Sequence, residues 1–193
     1  MPPGKSGDYA WVQHMVKSMA PVKGRMAVVL PHGALFRMGK EGEIRQKILQ
    51  MDLIEGVIGL GPNLFYGTGL AACILVVRQR KKKERKKKVL ILDASHEFKT
   101  GRAQNELLPE HVERIYGWYR DYDDVEGIAR VVTLDEIATN DYNLNIPRYV
   151  EAKSEQEVLT VEAAMKRLRA SAEAAFAAED RLLTLLRREG LIS

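Results

Sequence analysis

Apolar and polar positions alternate along the chain in blocks. Five short apolar runs stand out: Met26–Leu30, Leu53–Leu60, Leu70–Val77, Val89–Leu92 and Gly127–Val132. Runs of this length, bounded by Gly, Pro or charged residues, predict strands. Met26–Leu30 (MAVVL) carries no polar residue, which predicts a central strand buried on both faces, closed by Pro31. Between the runs the spacing becomes helical. Ala10, Trp11, Met15, Val16 and Met19 mark a helix over Asp8–Ala20, with Asp8 as its N-cap. Ile44, Ile48 and Leu49 mark a second over Glu41–Gln50. Leu108, Val112, Ile115 and Tyr119 mark a third over Leu107–Tyr119, with Pro109 in its first turn. Leu134–Ala138 predicts one helical turn.

Alternating helices and strands predict an α/β sheet, with Leu53–Val77 as a long-looped hairpin at its edge. The pattern changes at Ser154. Val158, Val161, Met165, Leu168, Ala172, Ala175, Leu182 and Leu186 follow three–four spacing in an Ala/Glu/Arg-rich background, interrupted at Glu179. Ser154 and Glu157 read as a capping box. The segment predicts one helix of about 35 residues, whose apolar stripe calls for a partner helix. The expected division is therefore 1–150 for the sheet and 151–193 for the helix.

Composition adds little to the fold and more to the surface. Of 193 residues, 46% are hydrophobic and 29% charged, enough for a packed core. Basic charge concentrates in Arg78–Lys88, and the remaining 21 basic and 25 acidic residues leave a net of about −4. The single Cys73 excludes an internal disulfide and reads as core. His14, His32, His96 and His111 lack metal-ligand spacing. No apolar stretch is long enough for a membrane span, and the N-terminus lacks a signal peptide's apolar region, so a cytoplasmic protein is expected.

Chemistry concentrates at Leu53–Leu92. The loop Gly61–Gly69 (GPNLFYGTG) carries three glycines, a proline and the adjacent Phe65 and Tyr66. Two readings stand. The aromatics either plug the core or form a platform for a planar ligand such as a base. The loop matches neither GxxxxGK[ST] nor GxGxxG, so it is not read as a phosphate cradle. Arg78, Arg80, Lys81, Lys82 and Lys83 are the candidates for nucleic-acid phosphate, against the alternative of a solvated hairpin tip. Asp93 and His32 follow strand runs and read as strand-end caps, and no catalytic acid–base or nucleophile set can be assembled.

Several segments together carry a resemblance: GRMAVVLPHGALFR, IRQKILQMDLIEGVIGLGPNLFYGTGLAACILVV, LILDAS and VEGIARVVTLDEIATNDYNLNIPRYV. Over about Asp8–Val150 the chain closely resembles the modification subunit of type I restriction-modification systems, an adenine-N6 DNA methyltransferase family using S-adenosylmethionine. The resemblance implies the C-terminal part of a Rossmann-like S-adenosylmethionine-dependent methyltransferase sheet, followed by the long helix. Met26–Leu30 would be its fifth strand, and Leu53–Leu60 with Leu70–Val77 the antiparallel pair beside it.

The resemblance also assigns the aromatic loop. It would pack against a flipped-out target base, with Phe65 favoured and Tyr66 the near alternative. The family's glycine-rich cofactor motif and Asn-Pro-Pro-Phe/Tyr motif do not occur, and Met1-Pro-Pro-Gly lacks the Asn and the aromatic. A fragment without catalytic residues of its own is therefore expected, one that does not bind S-adenosylmethionine alone. Implied partners are DNA and the specificity and restriction subunits. Self-association through an edge left open at Met26–Leu30 is also expected. A stand-alone module, assembling through the helix and binding nucleic acid through the basic loop, is the other reading.

Overall fold

The computed structural model describes residues 4, 7–150 and 160–191. It divides into two compact units, Met1–Lys153 and Ser154–Ser193. The first is a five-stranded sheet in the order β1-β3-β2-β4-β5. Its strands are β1 (Arg25–Pro31), β2 (Ile54–Leu60), β3 (Ala72–Arg78), β4 (Lys88–Ala94) and β5 (Ala129–Thr133). Its helices are α1 (Asp8–Ser18), α2 (Gly33–Phe36), α3 (Lys40–Gln50), α4 (Pro109–Asp121) and α5 (Leu134–Thr139). Each strand lies where the apolar pattern places one, to within a few residues, and so do α1, α3, α4 and α5; α2, a short turn of helix, is not marked by that pattern, and Gly7 rather than Asp8 is the N-cap of α1.

The order within the sheet differs from the sequence reading at two points. β3 runs antiparallel to both neighbours, pairing Leu75 with Val28 of β1 and with Val57 of β2. β2 in turn runs parallel to β4, with Leu60 opposite Ala94. The β2–β3 pair is therefore interior, not at the edge, and all seven residues of β2 are buried. β1 is the outer strand and is not buried on both faces. Leu30 is buried, Met26 and Val28 are partly covered, and Val29 on the opposite face is 50% exposed. Helices cover only one face of β1, so its apolar run is half used; an apolar run alone does not report which strands flank it.

Two apolar clusters hold the sheet. On one face Tyr9 and Val12 of α1, with Ile44, Ile48 and Leu49 of α3, pack on Val57, Leu75 and Ile91. On the other, Ile115 of α4 and Tyr122 pack with Ile58, Leu90 and Leu92. Arg45 of α3 is fully buried. It donates to the carbonyls of Tyr142 (2.8 Å), Arg37 (2.9 Å) and Ala34 (3.2 Å), so one side chain fixes three backbone segments.

The second unit contains α6 (Val161–Arg188), 28 residues, none of them buried. Thr160 caps it, its hydroxyl accepting from the Ala163 N–H at 3.2 Å. The expected capping box at Ser154 and Glu157 lies outside the described residues.

Candidate functional site

The parallel pairing of β2 and β4 sends both strands out at the same edge of the sheet. The antiparallel pairing of β1 with β3 brings Pro31 opposite Ala72 at that edge too. Loops at the carboxyl ends of parallel strands are where open α/β sheets bind ligands. Here the edge carries His32, the aromatic loop after β2 and the loop after β4.

The aromatic loop does not plug the core. Phe65 is 37% exposed and Tyr66 94% exposed. The loop closes on itself, the Asn63 N–H donating to the Gly69 carbonyl at 3.3 Å and Phe65 bridging to Thr68. Gly67 turns the chain at φ +77°, a conformation costly for any residue with a Cβ. At the neck, a Cβ on Gly61 would stand 2.4 Å from the Phe98 ring, so glycine there lets the β4 loop lie against this one. His32 Nε2 lies 2.9 Å from the Ala72 carbonyl and, as the donor of that pair, ties the turn after β1 to the start of β3. Asp93 is a strand-end cap, its Oδ1 accepting from the Ser95 N–H at 2.9 Å.

Arg78–Lys88 lies at the opposite edge. It is not a hairpin tip: β3 and β4 flank β2, so this segment crosses the start of β2. β2 is seven residues long, so strand rise puts roughly 20 Å between the basic segment and the aromatic loop. Three of its cations are used internally. Lys81 is buried, pairing with Asp52 at 2.6 Å and donating to the Lys88 carbonyl at 2.8 Å. Burial draws its ammonium below the ordinary lysine value, with Asp52 opposing. Arg78 pairs with Glu55 at 2.8 Å. Arg85 pairs with Glu55 at 3.3 Å, and its guanidinium carbon lies 4.2 Å from the Tyr122 ring centre.

Glu55 itself is fully buried and accepts from the Tyr119 hydroxyl at 2.8 Å. Burial works to raise its carboxyl, but Arg78, Tyr119 and Arg85 outweigh it and hold the group below the ordinary value. Of the phosphate candidates, Arg80, Lys82 and Lys83 remain exposed. Local charge density could not separate them from Arg78 and Lys81, because the partners Asp52 and Glu55 lie more than twenty residues away. Cys73 is buried in the core, where burial pushes its thiol up to about 12.

The chain and its fold have counterparts among known proteins. The chain belongs to the N-6 DNA methylase family, whose model matches residues 1–158. More particularly, it is similar to methylase subunits of type I restriction enzymes. It is 39% identical over 159 residues to the MjaVII methylase subunit of Methanocaldococcus jannaschii, covering 81% of this chain and 27% of that protein. It is 31% identical to the HindI methylase subunit of Haemophilus influenzae, covering 81% of this chain and 36% of that one.

A crystal structure of the type I restriction-modification methyltransferase subunit from Streptococcus thermophilus superposes with a TM-score of 0.75 at 38% identity, over 79% of this chain and 32% of that one. The sheet is thus of the Rossmann-like methyltransferase type, with the antiparallel β2–β3 pair beside β1 as the resemblance implied; β3 is the member next to β1, and β4 and β5 extend the sheet beyond the pair. The chain spans about a third or less of the length of several of these relatives. Among the described residues no helix is long and apolar enough to cross a membrane.

Proposed function

We propose that this chain forms the target-base side of a type I restriction-modification methylase, which transfers a methyl group from S-adenosylmethionine to adenine N6 in DNA. The observation that carries the reading is the exposed Phe65–Tyr66 pair on a pinned loop at the carboxyl edge of a methyltransferase sheet. An adenine drawn out of the duplex loses its stacking neighbours. An aromatic face replaces them at about 1–3 kcal/mol per base. Phe65 is the principal wall and Tyr66 its neighbour. The transferred methyl comes from the cofactor, and this chain's part is to hold the base so that the amine is presented in one orientation.

The Asn-Pro-Pro-Phe/Tyr and glycine-rich motifs do not occur in this sequence, so this chain alone does not hold S-adenosylmethionine. Arg80, Lys82 and Lys83 give the assembly a more distant phosphate contact. The apolar stripe of α6, including Leu168 at 62% and Leu182 at 56% exposure, meets a specificity subunit, and a restriction subunit joins the same complex. The test is nucleoside analysis of DNA treated with S-adenosylmethionine and the assembled methylase containing this chain. N6-methyladenine is the expected product. Methylcytosine, or no methylated base, would overturn the reading.

A further inference from the structure

The loop between β4 and α4 is polar and carries no role so far. It is nonetheless a built element. Lys99 and Glu106 pair as a short antiparallel bridge, each N–H donating to the other's carbonyl at 2.9 and 3.0 Å. The turn between them needs glycine, because a Cβ on Gly101 would lie 2.0 Å from the Gln104 carbonyl oxygen. The Gly101 N–H also donates to Asn105 Oδ1 at 3.4 Å. Lys99 and Arg102 project from this turn, exposed, and neither forms an ion pair among the described residues.

This turn is locked to the aromatic loop. The Asn105 N–H donates to the Asn63 carbonyl at 2.8 Å, and its side-chain amide to the Pro62 carbonyl at 2.9 Å. Gln104 Nε2 donates to the Leu64 carbonyl at 2.8 Å. Asn63 Nδ2 returns a bond to the Ala103 carbonyl at 3.2 Å. These hydrogen bonds join the two loops at Pro62, Asn63 and Leu64, immediately before Phe65.

We infer that the Lys99–Glu106 turn is a DNA-phosphate site, whose Lys99 and Arg102 grip the duplex backbone beside the base held by Phe65 and Tyr66. The inference rests on the base-stacking reading for its location. One feature sets it apart from Arg78–Lys88, which lies at the far edge of the sheet. The turn sits at the base-facing edge, hydrogen-bonded to the aromatic loop itself. A drawn-out base stays attached to its own backbone, so the phosphates flanking it must pass close to the aromatic wall. The hydrogen-bonded clamp fixes the distance between the two loops, so grip on the backbone sets where the aromatic faces stand.

The experiment uses the whole chain. Binding to a plain DNA duplex is followed by fluorescence anisotropy across a salt series, for wild type and for Lys99→Gln/Arg102→Gln. Both positions are exposed, so folding is expected to survive, and thermal melting checks it. The log–log salt dependence should flatten by about two, since each phosphate that a cation neutralises adds about 0.9 to the slope. An unchanged slope, or wild-type binding without salt dependence, overturns the site.

A second arm uses a duplex with one unpaired 2-aminopurine, whose emission is quenched on stacking. Asn105→Ala keeps both cations but removes its side-chain bonds to Pro62 and Gly101. It should keep the salt slope and lose most of the quench, and a retained quench overturns the coupling. Phe65→Ala and Tyr66→Ala separate the two ideas. If they leave the quench intact while the Lys99/Arg102 slope falls, the base-stacking reading fails and the phosphate site stands. If they abolish the quench while the slope stays fixed, the reverse holds.

Discussion

Glu55 and Arg85 form an ion pair at 3.3 Å in which neither side chain is more than 9% exposed. Arg78 reaches the same carboxylate from β3, and Tyr119 from α4. This cluster fastens the crossing from β3 to β4 over the start of β2. Removing one member of a buried charge cluster leaves the others uncompensated, typically at a cost of about 3–5 kcal/mol. Glu55→Ala should therefore lower unfolding stability by about that amount in urea titration, with an unchanged slope. A loss under about 1 kcal/mol would show that water reaches the two arginines without penalty.

The same carboxyl sets a pH dependence. Its folded-state value is held below its ordinary one, so the unfolded chain takes up the proton first as pH falls. Its stabilising contribution is complete above the ordinary glutamate value of about 4.3 and is lost as pH falls through the lower folded value. The urea midpoint of the wild type should drop through this acid window, and Glu55→Gln should show a shallower drop. Identical pH profiles would remove Glu55 from the account of acid sensitivity.

Cys73 should be inert while the chain is folded. Its side chain is buried and its thiol is raised to about 12, so almost no thiolate exists at neutral pH. A disulfide reagent should label it only in concentrated guanidinium, at one thiol per chain. Rapid labelling of the folded chain would mean that β3 opens locally.

Among the described residues no strand pairs with the outer side of β1, and Val29 stands half exposed on it. Such an edge recruits a second strand. The isolated chain should self-associate in light scattering, and Val29→Lys should shift it toward monomer without lowering its melting temperature. A wild-type monomer at all working concentrations would contradict this.

What could be read from the sequence follows from how local each signal is. Pro31, Pro109 and the apolar runs act within a few residues, so they placed β1 to β5 and α1, α3, α4 and α5; the four-residue α2 is too short to leave a period. Sheet order is not local. Met26–Leu30 looks like an interior strand because nothing in MAVVL reports that only one side is paired. The basic run looked uniform because Asp52 and Glu55 select Lys81, Arg78 and Arg85 across the fold. Arg45 gave no signal either: its three carbonyl partners come from Ala34, Arg37 and Tyr142. The aromatic loop was visible as composition, but its exposure was not. The clamp through Gln104 and Asn105 could not be seen, since both look like ordinary loop residues.

The central claim is that Phe65 and Tyr66 hold the target adenine, and methyl-transfer kinetics tests it most directly. Using the assembled methylase containing this chain, kcat/KM on duplex DNA is compared for wild type, Phe65→Ala, Tyr66→Ala and the double variant. Both side chains are exposed, so the melting temperature should stay constant. Loss of about 1–3 kcal/mol of stacking predicts a fall of roughly 5- to 150-fold for Phe65→Ala, with the double variant lower still. A double variant within about twofold of wild type would contradict the account.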